Sequence, residues 1–282
     1  MGVNAAGPRT WAGASLVANV GIVLTGALVR LTDSGLGCPS WPRCDAERWT
    51  THPALGIHGA IEFGNRLLTY VLVAIAIGTL VSVWRWQGST PGMRGLAVAL
   101  AAGIPLQGVI GGLTVLTDLN PWLVSLHLIL SMVLIAGAAV LIDQVSSRPR
   151  DRASARARAA VILAGVATTV VVYLGTVVTG SGPHAGDAAS PRNGLDSYLF
   201  SHVHAFAAYT LLAATIACVV LLRGTARRAA WVVFAVEAAQ IVIGLTQYSL
   251  GLPVALVAAH VLGAALLVAA ASTMTVRALV SR

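Results

Sequence analysis

The sequence predicts an all-α integral membrane protein with eight transmembrane helices arranged as two pseudo-symmetric four-helix bundles. Three observations predict this class: an apolar composition, the length of the apolar runs and an internal repeat. Of the 282 residues, 57% are hydrophobic and 10% are charged, whereas a soluble domain carries about 25% charged residues. This balance indicates a polytopic membrane protein and argues against a globular enzyme with one large core.

Eight apolar runs are long enough to cross a bilayer, which requires roughly 20 residues. The predicted spans cover 11–30, 59–84, 95–117, 121–142, 159–180, 198–222, 229–250 and 253–276. The third and fourth spans, and the seventh and eighth, are joined by connections short enough to predict tight helical hairpins. No convincing cleavage site follows the first run, so we expect it to be retained as a span.

The placement of arginine predicts the orientation, because cytoplasmic loops carry an excess of basic residues. The net charge of +8 comes from arginine alone, and no basic patch with interleaved aromatic residues is present, which argues against nucleic-acid binding. The arginines assigned to the cytoplasm are Arg85, Arg94, Arg148, Arg150, Arg152, Arg156, Arg158, Arg223, Arg227, Arg228, Arg277 and Arg282. We therefore expect both termini in the cytoplasm and the loops at 31–58 and 181–197 outside.

A hairpin that runs from glutamine to histidine occurs twice and defines the repeat. Gln107 is followed twenty residues later by His127. Gln240 is followed twenty residues later by His260. Ionisable residues at depth in a membrane are costly and usually functional, so two at matching positions predict a duplicated site.

The repeat divides the chain into two halves with the same orientation, because an even number of spans separates equivalent positions. We predict an N-terminal four-helix bundle over residues 1–143, a cytoplasmic linker over 144–158 and a C-terminal four-helix bundle over 159–282. Spans two and six align with a shift of 139 residues, which makes Asn65 the counterpart of His204.

The second half offers two histidines at similar depth, His204 in span six and His260 in span eight. Each lies about seven residues, or about 10 Å, from the outer end of its span. Imidazole is a good iron ligand and a bundle interior suits a porphyrin, so the pair predicts a haem or metal site. The alternative is a pair of polar side chains bonded to the backbone or to each other. His202 points about 200° away from His204 and is not assigned to the same iron.

The first half has diverged from this pattern. His127 is retained, but Asn65 is a poor iron ligand, and Glu62 and Arg66 lie on the same helix face. A site that keeps one position free and holds a titratable group is typical of catalysis. The alternative is a purely structural ion pair between Glu62 and Arg66. The candidate cations for haem propionates are Arg66, Arg30 and Arg192.

Three cysteines are present. Cys218 lies in an apolar run and is expected to be a packed, inert thiol. Cys38 and Cys44 lie in a polar loop on the predicted outer, oxidising side. Three interpretations stay open for this pair: a structural disulfide, a redox-active pair, or free thiols.

Several motifs together resemble the heme A synthase family: GALVRLTDSGLGCPSWPRC after span one, IEFGNRLLT in span two, GTVVTGSGPHAGD after span five, and the two hairpins. The resemblance covers nearly the whole chain. It implies an eight-helix protein of two four-helix bundles in the plasma membrane. It further implies oxidation of the C8 methyl group of haem O to the formyl group of haem A, by successive hydroxylations, for the terminal oxidase.

The resemblance also implies roles for residues of both halves. These are His204 and His260 as axial ligands of a resident haem b, His127 as a substrate-haem histidine, Glu62 as the acidic residue beside it, and Cys38 and Cys44 as the paired cysteines of the first external loop. Many family members have a histidine three residues after this glutamate, where this chain has Asn65. We therefore expect haem O to be held through His127 alone, with Asn65 bonding a water or an oxygen species.

These inferences predict a membrane oxidoreductase with haem b as cofactor and haem O as substrate. The predicted partners are haem O, membrane lipid, haem O synthase, terminal oxidase assembly proteins and a second copy of the chain. Two other classes stay open, a non-enzymatic di-haem electron-transfer cytochrome b and a transporter. The cytochrome would need a second axial ligand in the first half, and the transporter would leave the matched histidines without a purpose.

Overall fold

The computed structural model describes residues 6–146 and 153–280. Over these residues the chain forms eight α-helices, one short 3₁₀ helix at Pro53–Leu55 and no strand. The α-helices are α1 (Ala6–Leu31), α2 (Gly56–Arg85), α3 (Pro91–Leu116), α4 (Pro121–Val145), α5 (Ala155–Ser181), α6 (Ser197–Leu221), α7 (Gly224–Ser249) and α8 (Val254–Leu279). All eight are long and apolar enough to cross a membrane. The prediction of an all-α, multi-pass membrane protein is confirmed.

The helices pack as two rings of four. In the first ring, α1 and α3 each contact both α2 and α4, and in the second ring, α5 and α7 each contact both α6 and α8. Helices α1, α4, α5 and α8 make the contacts between the rings. The largest apolar core lies in the second ring around Leu211, Val233 and Met274.

The two hairpin turns have the same backbone geometry. Asp118 and Leu119 have φ angles of 54° and 59°, and Gly251 and Leu252 have φ angles of 73° and 63°. Two successive left-handed residues stop one helix and reverse the chain, which costs a leucine some strain. The equivalent turns therefore agree with the repeat seen in the sequence.

Both long loops and both hairpin turns meet at one end of the molecule, called here the loop side. The backbone N–H of Gly35 donates to the carbonyl of Gly186 at 2.8 Å, and Nε2 of His184 donates to the carbonyl of Leu252 at 3.0 Å. Arg30 reaches across the rings, because its Nε donates to the His184 carbonyl at 2.6 Å. Its Nη2 donates to the Thr179 carbonyl at 3.0 Å. The two halves are thus joined at the loop side.

The opposite end departs from the predicted boundaries. Helix α4 continues to Val145 and α5 begins at Ala155, so both overlap the predicted linker at 144–158. Arg277 was expected after the last span, but α8 includes it and buries it against Asp143 of α4, with Nε 2.6 Å from Oδ1. An ion pair makes this burial tolerable and allows the helix to continue. Four of the arginines assigned to the cytoplasm lie outside the described residues: Arg148, Arg150, Arg152 and Arg282.

Candidate functional site

In the second ring, His204 of α6 and His260 of α8 face each other, with ring centroids 6.3 Å apart and ring planes at 73°. Nδ1 of His204 lies 3.1 Å from the carbonyl of Val171. Because a carbonyl only accepts, Nδ1 carries the proton and Nε2 is left as a lone-pair donor. Nδ1 of His260 is buried and has no hydrogen-bond partner among the described residues. The two rings are therefore close without being bonded to each other.

Glycines on the neighbouring helices make room for both imidazoles. A methyl group added at Gly175 of α5 would lie 3.3 Å from Cε1 of His204. One added at Gly244 of α7 would lie 3.4 Å from Cε1 of His260. One metal ion between two imidazoles needs ring centres about 6 Å apart, since each metal–nitrogen bond is about 2 Å long. These residues fit a bis-histidine haem.

The first ring repeats half of this arrangement. A methyl group added at Gly111 of α3 would lie 3.2 Å from Cε1 of His127. Gly111 is the counterpart of Gly244 in the other hairpin. Nδ1 of His127 is also buried and has no hydrogen-bond partner among the described residues. Nε2 of Gln107 donates to the His127 carbonyl at 3.1 Å and to Oγ of Ser131 at 2.8 Å. The Gln-to-His spacing of this hairpin thus places the glutamine of α3 where it joins α3 to α4 by hydrogen bonds beside the imidazole.

Asn65 does not fill the space that a histidine would. Oγ1 of Thr25 donates to its Oδ1 at 2.8 Å, which directs the amide toward α1. Gly26 aligns with Gly175 in the repeat, and a methyl group added there would have no atom within 4 Å. In the second ring, His204 occupies the equivalent place. Because the Asn65 amide is held by Thr25 and no described atom contacts a methyl group at Gly26, the first site is open on the side where His204 stands in the second.

Glu62 is buried, with 5% of its surface exposed, and it contacts the first loop. Its Oε2 accepts the backbone N–H of Cys38 at 2.6 Å. Its Oε1 accepts Nε of Arg66 at 3.1 Å and Nη2 at 2.5 Å. The ion pair that the sequence offered as an alternative is therefore present, and it is part of a larger network.

The rest of the Arg66 guanidinium holds the loop backbone. Nη1 donates to the carbonyls of Ser40 and Arg43 at 2.8 Å and 3.2 Å. Nη2 donates to the carbonyl of Cys38 at 3.0 Å. With the two bonds to Glu62, all five N–H donors of the guanidinium are used. Binding of a propionate by Arg66 stays a prediction, and it would require one of these bonds to break.

The loop contains a disulfide between Cys38 and Cys44, and both residues are fully buried, at 0% exposure. Cys218 is a buried free cysteine, as predicted. Of the three interpretations of the pair, free thiols do not match the structure. A redox role stays a prediction.

Asp45 closes the outer turn of the loop. Its Oδ1 accepts the backbone N–H groups of Glu47 at 2.8 Å and Arg48 at 2.6 Å, and its Oδ2 lies 2.9 Å from Nε2 of His52. The hydrogen bond from Glu47, followed by those from Arg48 and His52, lowers the pKa of the Asp45 carboxyl. The carboxylate is therefore ionised at neutral pH and keeps its hold on the turn.

In the described part of the chain, no hydrogen bond or ring contact joins the other four histidines to His127, His204 or His260, although His58 lies one turn before Glu62 on α2. Each has a partner of its own: His58 with Ser34 Oγ, His52 with Asp45, His184 with the Leu252 carbonyl and His202 with the Tyr198 carbonyl. His202 is exposed while His204 faces the ring interior, which confirms the predicted divergence of the two side chains.

A family model described as cytochrome oxidase assembly protein, COX15-CtaA, matches residues 9–54 and 57–272. The chain belongs to the COX15-CtaA family. The match runs through all eight helices and includes both hairpins, the disulfide loop and every histidine of the two sites.

Several proteins similar in sequence to this chain are named heme A synthase. The protein from Geobacillus kaustophilus is 28% identical over 181 residues, covering 60% of this chain and 55% of the relative. The protein from Geobacillus thermodenitrificans is 32% identical over 138 residues, covering 48% and 41%. The protein from Rhizorhabdus wittichii is 26% identical over 309 residues, covering 88% and 87%. The chain thus spans about half the length of the Geobacillus relatives in these matches.

Two features of the structure were not predicted from the sequence, one beside the first site and one in the second ring. The indole of Trp41 lies on Gly112 of α3. The sequence feature that could have indicated this contact is the second glycine of the pair Gly111–Gly112, because the other hairpin has a single glycine at this point. Glu237 of α7 is a buried carboxyl whose Oε1 accepts Oγ1 of Thr215 at 2.7 Å. Its Oε2 has no partner among the described residues. An acidic residue inside the apolar run of span seven was the available signal.

Proposed function

We propose that this protein oxidises a methyl group of haem O to the formyl group of haem A. The observation that carries the proposal is the divergence of two sites built on one duplicated hairpin. The second site has two facing imidazoles, whereas the first has one imidazole, one amide and a carboxylate nearby. A di-haem cytochrome that only transfers electrons would need two closed sites. The relatives named heme A synthase support the same activity.

In this proposal His204 and His260 hold haem b, which supplies electron transfer when bound. The Val171 carbonyl keeps the proton of His204 on Nδ1, so Nε2 is the ligand atom. Gly175 and Gly244 allow both rings to stand close to the neighbouring helices. The C-terminal half, residues 159–282, would then be the resident haem domain.

The N-terminal half, residues 1–143, would bind haem O through His127. Without a second imidazole, one face of the substrate iron stays accessible. Asn65 uses its Oδ1 to accept from Thr25, which leaves its Nδ2 to donate to a water or an oxygen species. Glu62 already accepts three hydrogen bonds. This favours a fixed negative charge that stabilises positive charge at the reacting carbon over a role in proton transfer.

The proposed setting is the plasma membrane, with the loop side outside and both termini in the cytoplasm. Arginines at the helix ends opposite the loop side support this orientation; they are Arg85, Arg94, Arg156, Arg223 and Arg228. Haem O synthase would supply the substrate, and terminal oxidase assembly proteins would receive the product.

The test of the proposed function is the Glu62→Ala variant, expressed in membranes that contain haem O. We expect the haem b spectrum to be unchanged and haem A formation to fall by at least about a hundredfold, measured by haem extraction and chromatography. The matched control is Glu47→Ala, which removes an exposed carboxylate from the loop that Glu62 contacts. Normal haem A formation in the Glu62→Ala variant would remove Glu62 from the mechanism. Haem b without haem A in the unmodified protein would instead favour the electron-transfer cytochrome.

A second prediction concerns the glycine beside His127. In Gly111→Ala, the added methyl group must push the imidazole by a few tenths of an ångström, so we expect KM for haem O to rise several-fold with haem b unchanged. Gly108→Ala is the control, because a methyl group at Gly108 has no atom within 4 Å. Equal KM values for the two variants would contradict the placement of haem O on His127.

A further inference from the structure

Trp41 lies within the disulfide loop, but its side chain leaves the loop and packs on α3. A methyl group added at Gly112 would overlap the indole at Cδ2 and Cε2 and would lie 2.6 Å from Cγ. Only glycine permits so close an approach of the ring to the helix backbone. Trp41 is partly buried, while the adjacent Pro42 and Arg43 are exposed. The indole is therefore the point at which the loop is attached to α3.

This attachment lies beside the open site. The His127 imidazole packs against Gly111, and the Trp41 indole packs against the next residue, Gly112. The two rings therefore contact adjacent residues of α3. The second ring has Leu245 in place of Gly112, and its loop at 182–196 contains no tryptophan. The contact thus belongs to the half that lacks the second imidazole.

The same loop is attached to α2 on either side of Trp41. Arg66 binds the carbonyls of Ser40 and Arg43, and Glu62 accepts the N–H of Cys38. The loop is therefore held between α2 and α3. Because Cys38 lies three residues from Trp41, displacement of the indole would move one of the three donors that orient the Glu62 carboxylate.

We propose that the contact between Trp41 and Gly112 is a latch that positions the Glu62 carboxylate for haem O oxidation and shields the disulfide. Trp41 is a positioning residue in this scheme. Its effect on turnover rests on the proposed function of Glu62, whereas its effect on the disulfide does not. When the latch is closed, both cysteines are inaccessible; release of the indole would expose them.

The first test measures access to the disulfide in the full-length protein. Membranes are treated with tris(2-carboxyethyl)phosphine, and the thiols formed are counted after denaturation by the gel shift of a maleimide-polyethylene glycol, with Cys218 giving one constant label. In Gly112→Ala and in Trp41→Ala, we expect reduction on the order of tenfold faster than in the unmodified protein, because the latch opens locally. Gly108→Ala, one turn along α3, should match the unmodified protein. Equal reduction rates in Gly112→Ala and Gly108→Ala would overturn the latch.

The second test measures haem A formation in the same variants, with the low-spin haem b spectrum as the check that each has folded. We expect kcat to fall by about ten- to a hundredfold with a small change in KM, because the carboxylate is misplaced while haem O binding is kept. Trp41→Phe keeps a ring on Gly112 and should retain most activity. Faster reduction of the disulfide with unchanged kcat would overturn the positioning role and leave the proposed function standing.

The double variant Gly112→Ala/Trp41→Ala separates the contact from unrelated damage. Once the indole is gone, the methyl group at Gly112 has nothing to displace, so the double variant should be no worse than Trp41→Ala alone. If the effects of the two substitutions on the reduction rate and on kcat were additive in the double variant, the proposal would be overturned, because additive effects indicate that the two residues act independently.

Discussion

Replacing His204 with alanine is expected to abolish the low-spin spectrum of the proposed haem b. Among the described residues, His204 and His260 are the two imidazoles that face each other in the second ring, at 6.3 Å between centroids. A low-spin haem needs a strong-field ligand on each face of the iron, and in the proposed site both are imidazoles, so loss of either residue leaves one position without a protein ligand. The measurement is the reduced-minus-oxidised absorption spectrum of the purified protein, together with its paramagnetic resonance signal.

The matched control is His202→Ala. His202 lies two residues away on the same helix, but it is exposed and donates to the Tyr198 carbonyl. This variant should retain the full low-spin signal. Survival of the signal in both His204→Ala and His260→Ala would show that haem b binds elsewhere.

Replacing Arg277 with methionine is expected to destabilise the protein by about 1.5–3 kcal/mol, because the buried Asp143 carboxylate loses the charged hydrogen bond from Nε of Arg277. The side chains of Arg277 and Asp143 are 10% and 1% exposed, and their charged atoms lie 2.6 Å apart. The pair joins α8 to α4 and hence one ring to the other. The measurement is thermal unfolding of the detergent-solubilised protein, followed by loss of the haem b spectrum.

Arg85→Met is the control for the Arg277 prediction, since Arg85 is exposed at the same end of the molecule. We expect it to change the stability by less than about 1 kcal/mol. Adding Asp143→Asn to Arg277→Met should recover part of the loss, because the buried negative charge is then removed as well. If Arg277→Met unfolded at the same temperature as Arg85→Met, the ion pair would not be what joins the rings at this end.

The eight helices and the repeat were predictable because each depends on short stretches of chain. An apolar run of more than about 20 residues has one stable arrangement in a bilayer, a helix that satisfies its own backbone. The spacing from Gln107 to His127, and from Gln240 to His260, likewise follows from two helices joined by one short turn. Boundaries were less predictable: α8 continues through Arg277, whose buried side chain meets Asp143 of α4.

The histidine pair of the second ring was also predictable, since depth along each helix follows from residue number. The surroundings of Glu62 were not. Its bond to the Cys38 N–H joins residues 24 apart in the chain, and three of the five bonds of Arg66 go to carbonyls of an irregular loop. The sequence offered a structural ion pair and a substrate group as two roles for Glu62. The structure shows the ion pair holding the loop, and a role of Glu62 towards the substrate stays a proposal.

By itself, the sequence determined the fold class, the two halves and the residue types placed at depth, because length, polarity and spacing are local properties. Only the tertiary structure decided which groups meet. The Trp41 indole on Gly112, the open space beside Asn65 and the Arg277–Asp143 pair, 134 residues apart, all depend on how helices pack and where loops return. A local pattern cannot encode such contacts, because their partners are chosen by the packing of the whole molecule.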